Sequence, residues 1–146
     1  MKNVIITIDG PAASGKGRIA KYISKKWKLK HLDSGILYRR VALKIIEQKI
    51  NIKSIKELKK FIHNKSSLSF RKNKALRREI ISKTASKIAV FKFIRNYVNK
   101  FQRNFVDKNM KNNGFVIDGR DTGSVVFKNA NLKLYIETNE RNRAKR

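Results

Sequence analysis

The chain has 146 residues, with 37 Lys and Arg against 10 Asp and Glu, a formal charge of +27. That is the length of one ordinary domain, and 40% hydrophobic residues give it a modest core. Zero cysteines, one proline and seven glycines exclude a disulfide framework, a thiolate metal site, a cysteine nucleophile and a collagen-like chain.

The first residues lack the long apolar stretch and small-residue cleavage site of a signal peptide, and no apolar run approaches the ~18 residues of a membrane span. A cytosolic single domain over residues 1–146 is the expectation. The positive field favours polyanions, whether nucleic acid, nucleotides or an anionic membrane surface. It is evenly spread, with 19 basic and 4 acidic residues in 1–73 and 18 and 6 in 74–146. A solvated lysine surface explains it as well as a binding face does.

Val4-Ile5-Ile6-Thr7-Ile8, closed by Asp9-Gly10-Pro11, reads as a strand buried on both faces. Ile19, Ala20, Ile23 and Trp27 recur at helical spacing and predict a helix over Lys16–Trp27. Leu32 ends a short second strand before Asp33-Ser34-Gly35. Leu37, Val41 and Ile45 mark a second helix, and Ile55, Leu58 and Ile62 a third, with Ser54 as its N-cap.

Leu68-Ser69-Phe70 is a weak strand candidate. Leu76, Ile80, Thr84 and Ile88 then line a helical face, and Phe91, Ile94, Val98, Phe101 and Phe105 continue with a strong apolar stripe. Asn112-Asn113-Gly114 is a turn before the strand Phe115-Val116-Ile117, which ends at Asp118. Leu132, Leu134 and Ile136 alternate in a last strand, and Asn139 caps a final short helix. Strands separated by helices predict an α/β domain with a mainly parallel sheet, too small to close a barrel.

Gly10-Pro11-Ala12-Ala13-Ser14-Gly15-Lys16 fits G-x-x-x-x-G-K and lies between a buried strand and a helix, as a P-loop requires. The glycines let successive backbone N–H groups curl around one anion, the helix N-terminus adds partial positive charge, and Lys16 brings a mobile ammonium. The competing explanation is a glycine-rich turn followed by a surface lysine. Gly17 stands where the motif has Ser or Thr, so the usual hydroxyl ligand for Mg²⁺ is missing from its place.

Asp118 ends an apolar strand, where a carboxylate in a P-loop fold organises Mg²⁺ through its waters. Gly119-Arg120-Asp121-Thr122-Gly123 leaves the same sheet edge, where open α/β sheets collect ligands. Asp33-Ser34-Gly35 followed by Tyr38-Arg39-Arg40 forms a second turn-to-helix junction suited to phosphate. Any one of these segments alone reads as a polar turn. Together they suit phosphoryl transfer between two phosphate-bearing ligands.

These residues resemble the bacterial cytidylate kinases. Ile8-Asp9-Gly10-Pro11-Ala12-Ala13-Ser14-Gly15-Lys16-Gly17, Leu32-Asp33-Ser34-Gly35 with Tyr38-Arg39, and Ile117-Asp118-Gly119-Arg120-Asp121 with Gly123 and Val125-Val126-Phe127 occur in that family's order. The resemblance spans nearly the whole chain. It implies a P-loop NTPase-like three-layer α/β/α fold, shortened at its C-terminal end, with residues from about 50 to 90 forming the acceptor region. It also implies ATP- and Mg²⁺-dependent phosphorylation of CMP or dCMP.

By that analogy Gly10, Pro11, Ala12, Ala13, Ser14, Gly15, Lys16 and Gly17 wrap the ATP phosphates, and Lys16 stabilises the moving group. Ser34, Arg39 and Arg120 hold the acceptor nucleotide, and Arg95, Asp121 and Ser86 read the cytosine edge, whose exocyclic amine a carboxylate accepts. Lys16, Arg120 and Asp118 carry the catalytic charge. Arg95 reads equally as a surface arginine on a long helix. His31 and His63 are expected to play no part.

Three departures qualify the resemblance. Arg18 replaces a small hydroxyl residue, the arm between Leu68 and Leu76 is short, and the family continues beyond Arg146 into a lid with further arginines. Nucleotide affinity is therefore expected to persist, while turnover by this chain alone is in question. The expected partners are CMP or dCMP and ATP, with the chain a cytoplasmic monomer, no membrane, and nucleic acid held only non-specifically. Two alternatives stand beside this reading: a basic nucleic-acid-binding protein with a vestigial P-loop, and a P-loop kinase for another small acceptor.

Overall fold

A strand as uniformly β-branched as Ile5–Ile8 has no polar face to give to water, and it lies inside a parallel sheet. A computed structural model of the chain describes residues 3–64, 67–112 and 114–145. Its strands are β1 (Ile5–Asp9), β2 (Lys30–Asp33), β3 (Phe115–Gly119) and β4 (Leu132–Tyr135). All pair in parallel, in the order β2-β3-β1-β4. The helices are α1 (Lys16–Trp27), α2 (Gly35–Glu47), α3 (Ile55–His63), α4 (Glu79–Ile88), α5 (Lys92–Asn109) and α6 (Glu140–Ala144). The α/β class with a parallel sheet is the one the pattern predicts.

The chain divides into two compact units, Met1–Ser34 with Gln102–Arg146, and Gly35–Phe101. The first contains the sheet and α1. Ile6 pairs with Val116 and Leu132, and Ile8 with Asp118 and Leu134. Parallel partners share a face, so these residues, with His31 and Asp33 of β2, all point to one side of the sheet. On that side Ile6, Ile8 and Val116 are buried with Ala20 and Ile23 of α1 and with Leu29. Thr7, Asp9 and Gly119 belong to the opposite side. β4 ends the strand order, and Leu132 and Tyr135 are 46% and 63% exposed.

The second unit is helical. Leu37, Val41, Ala42 and Ile45 of α2 share a core with Leu58 and Phe61 of α3, Ile81, Ala85 and Ile88 of α4, and Ile94 and Val98 of α5. Ser54 caps α3 as its sequence predicts, accepting the Glu57 N–H at 3.3 Å, while Glu57 Oε2 accepts the Asn51 N–H at 3.0 Å.

Leu68-Ser69-Phe70 forms no strand. Arg40 donates to the carbonyls of Ser69 and Arg71, and Lys44 to that of Ser67, so α2 side chains occupy carbonyls in and beside the segment that a partner strand would otherwise have met. Leu76 belongs to a separate 3₁₀ turn, Lys74–Arg77, whose N-cap is Asn73. The buried stripe of α4 is Ile81, Thr84, Ala85 and Ile88, and Ile80 is exposed. Thr84 and Ile88 lie on the expected face, and Ile81 takes the place expected of Ile80. Asn139 accepts the Asn142 N–H at 2.9 Å as the expected cap of α6. Asn113, in the expected turn, lies outside the described residues.

Candidate functional site

The sequence between β1 and α1 leaves a helix end without a side-chain cap. Gly15 occupies the N-cap position at φ 89°, no side chain bonds to the first turn, and no acidic residue lies in it. Ala13 takes a left-handed φ of 57°, a conformation uncommon outside glycine. These two residues curl the loop, and the helix N–H groups at its exit suit an anion. Gly10 is required by crowding: a Cβ there would lie 2.6 Å from the Ile136 carbonyl oxygen and 3.0 Å from Ser14 Oγ. Ser14 Oγ is buried with no hydrogen-bond partner.

Lys16 Nζ donates to the Pro11 carbonyl at 2.9 Å, so the ammonium folds back over its own loop. Burial pushes its pKa below the ordinary value, with Asp118 opposing that shift, Arg120 adding to it, and Asp33 and Asp9 opposing it further. Charges of both signs therefore act on this one lysine. Asp118 is buried, and Oδ2 would lie 3.5 Å from a Cβ at Gly17, on the rim of the loop. Its other oxygen, Oδ1, accepts from His31 Nε2 at 2.7 Å. His31 thus bonds the residue expected to organise Mg²⁺, a contact that the sequence expectation of two idle histidines did not include. His63 simply closes α3.

The segment after β3 is fixed from the opposite side of the sheet. Thr122–Val126 forms a single π turn. Asp9 Oδ1 accepts the Thr122 N–H at 2.8 Å and the Thr122 hydroxyl at 2.5 Å, and Oδ2 accepts the Gly123 N–H at 2.8 Å. Gly10 N donates to the Gly119 carbonyl at 3.3 Å, and Ser34 N to the Asp118 carbonyl at 3.0 Å. A Cβ at Gly119 would collide with Ser34 Oγ and with Thr122 Cγ2. Ser34 is buried and Arg120 exposed.

The first unit therefore assembles the loop 10–17, Ser34, Asp118, Arg120 and Asp121, together with Asp33. The remaining candidates belong to the helical unit. Arg39 is half-buried on α2, and Ser86 is exposed on α4, donating to the Ser82 carbonyl at 3.2 Å. Arg95 donates to the carbonyls of Ala89 at 2.9 Å and Val90 at 2.7 Å, closing the end of α4. Among the described residues no three His, Asp or Glu side chains form a metal cluster.

Sequence reasoning missed Asp9, His31 and Thr122. Asp9 directly precedes the first motif glycine, and the face alternation of β1 would have aimed it away from the loop. An open cleft of about 400 Å³ lined by Pro11, Tyr135, Glu137, Thr138 and Asn139 beside the loop also escaped notice.

The sequence pattern of the cytidylate kinase family matches residues 6–146. The chain is 36% identical over 157 residues to the cytidylate kinase of Fusobacterium nucleatum, covering 100% of this chain and 69% of that protein. It is 39% identical to the cytidylate kinase of Rickettsia felis and 40% identical to that of Rickettsia africae, each over 145 residues, 99% of this chain and 64% of the relative. It spans about two thirds of the length of these relatives. The chain belongs to the cytidylate kinase family.

Proposed function

We propose that this family member is a nucleotide kinase core that transfers the γ-phosphoryl group of ATP to CMP or dCMP, yielding ADP and the pyrimidine diphosphate. The observation that carries the reading is Lys16, desolvated at the mouth of an uncapped strand–loop–helix cradle, its ammonium on the Pro11 carbonyl and within the field of Asp118. The attacking phosphate oxygen is already anionic, so the reaction needs alignment and charge neutralisation more than a general base.

In this reading the loop Gly10–Gly17 binds the ATP phosphates through backbone N–H groups, and Lys16 leaves the Pro11 carbonyl for the transferred group. Ser34, Arg39 and Arg120 hold the acceptor phosphate. Asp121, Arg95 and Ser86 select cytosine, Asp121 by accepting from the exocyclic amine that uracil lacks. The donor set fits Mg²⁺, which favours one or two carboxylates plus substrate phosphates over an all-protein cage. Asp118 would hold it through water, and the ion supplies neutralisation of phosphate charge. Residues from about 50 to 90 serve as the acceptor region, and the chain works as a monomer in the cytoplasm.

The test is calorimetry with CMP, dCMP, UMP, AMP and GMP and with a non-hydrolysable ATP analogue, alongside ADP release in the presence of each acceptor. Binding of CMP well above UMP, with ATP-analogue binding lost in Lys16→Ala, is the expected result. Equal binding across the panel removes the cytosine assignment. Salt-sensitive RNA binding indifferent to ATP and to Lys16→Ala would instead favour a nucleic-acid-binding protein.

A further inference from the structure

We infer that Asp9 is a positioning residue for the acceptor nucleotide: its buried carboxylate fastens the segment bearing Arg120 and Asp121 to the strand from which the phosphate loop springs. The inference rests on the reading above and deepens it.

The side chain of Asp9 points to the face of the sheet opposite Ile8 and Asp118. It is 7% exposed, and both oxygens are engaged, Oδ1 by the Thr122 N–H and hydroxyl and Oδ2 by the Gly123 N–H. A carboxylate out of water persists only with such donors, and two of these three are backbone groups with no freedom to turn away. The backbone of Asp9 is engaged as well, since its carbonyl accepts the Ile136 N–H at 2.8 Å. The next residue, Gly10, donates to the Gly119 carbonyl.

The stretch from Gly119 to Gly123 is thus held at its start by Gly10 and at its end by Asp9. Arg120 and Asp121 lie between these two fixed points. The segment also packs closely on the same strand, since a Cβ at Gly123 would lie 2.5 Å from Thr7 Oγ1. Asp9 itself reaches no nucleotide in this scheme. It sets the place of Arg120 and Asp121 relative to the phosphate loop, and so the line between the two reacting phosphates.

A role confined to holding the fold predicts that damage at Asp9 weakens both nucleotides together. Positioning predicts a split. Thr122→Val removes one of the three bonds while keeping the shape of the side chain, and Asp9→Asn replaces an acceptor oxygen by an amide that donates. The expected result is a dissociation constant for CMP raised about threefold to tenfold in Thr122→Val and more in Asp9→Asn. That for a non-hydrolysable ATP analogue stays within about twofold.

Amide hydrogen exchange supplies a second readout, with Thr122 and Gly123 losing protection while Ile6 and Ile117 keep theirs. Should Asp9→Asn fail to fold, Thr122→Val decides alone. A folded Thr122→Val chain that binds both nucleotides as before, or loses both alike, overturns the inference. Absence of CMP binding by the unmodified chain overturns the functional reading and this extension of it together, so the two failures are distinguishable.

Discussion

His31 on β2 and Asp118 on β3 share one face of the sheet, and His31 Nε2 lies 2.7 Å from Asp118 Oδ1. The bond occupies one carboxylate oxygen and leaves the other, Oδ2, at the rim of the phosphate loop beside Gly17. Replacing His31 by Phe strands an acceptor in the interior, at a cost of about 1–3 kcal/mol in stability. Urea denaturation measures that loss. If the bond also aims Asp118, the gain in ATP-analogue affinity on adding Mg²⁺ shrinks in His31→Phe, and His31→Gln restores part of it. Affinity measured in EDTA stays the same.

The position of Lys16 carries a penalty. Burial disfavours its ammonium, so the folded chain holds that proton less tightly than the unfolded chain does. Stability therefore rises with pH from the lowered pKa of Lys16 up to its ordinary value of 10.5. The Lys16→Met chain lacks this rise. It is expected to melt higher than the unmodified chain at neutral pH, with the gap closing as pH approaches 10.5. Saturating ATP analogue reverses the order at neutral pH, since ligand at a hundredfold excess over Kd adds about 2.7 kcal/mol only where it binds.

Gly123 has no room for a methyl group. The Cβ of an alanine would lie 2.5 Å from Thr7 Oγ1 and 3.3 Å from two carbons of the Lys133 side chain. Gly123→Ala is expected to lower stability by about 1–3 kcal/mol, as overpacking does. Thr7 Oγ1 is buried with no hydrogen-bond partner, so Thr7→Ala removes the obstructing atom without breaking a bond. Denaturation of the two single variants and the double should show rescue, a non-additive cycle characteristic of touching residues.

Arg95 separates structure from recognition. Its two bonds to the Ala89 and Val90 carbonyls close the end of α4. Arg95→Met is expected to cost on the order of 1–2 kcal/mol in the helical unit, from loss of charge-assisted bonds. A role in reading cytosine adds a second consequence, a reduced ratio of CMP to UMP affinity. Stability loss with an unchanged ratio assigns Arg95 to the helix end alone.

The fold was legible wherever one residue sees one neighbour type. β1, flanked on both sides by other strands, shows as an unbroken β-branched run from Ile5 to Ile8. α1 begins and ends where its spacing predicts, and Ser54 stands directly before the apolar spacing of α3, as an N-cap does. Leu68-Ser69-Phe70 misled because the Ser69 carbonyl accepts from the side chain of Arg40, 29 residues away in sequence, rather than from a neighbouring strand. Ile80 misled because a 3₁₀ turn at Leu76 shifts the helical phase.

At the site, the loop was readable because its chemistry demands glycines and a lysine at fixed spacing. Asp9 and His31 were not. Their meaning lies in strand register and face, which pair them with Thr122 and Asp118 at separations of 113 and 87 residues. A single sequence carries no local trace of such pairings.

β4 has a hydrogen-bonded neighbour on one side, β1, and no second strand beside it among the described residues. Among the described residues that second edge, next to exposed Leu132 and Tyr135, is a template on which another strand can add itself. Lys133 sits midway along that edge, and a net charge of +27 drives copies apart. Salt shortens the reach of that repulsion to about 3 Å at 1 M. Colloidal behaviour is thereby coupled to ionic strength, and dilute buffers should keep the purified chain dispersed where concentrated ones let it precipitate.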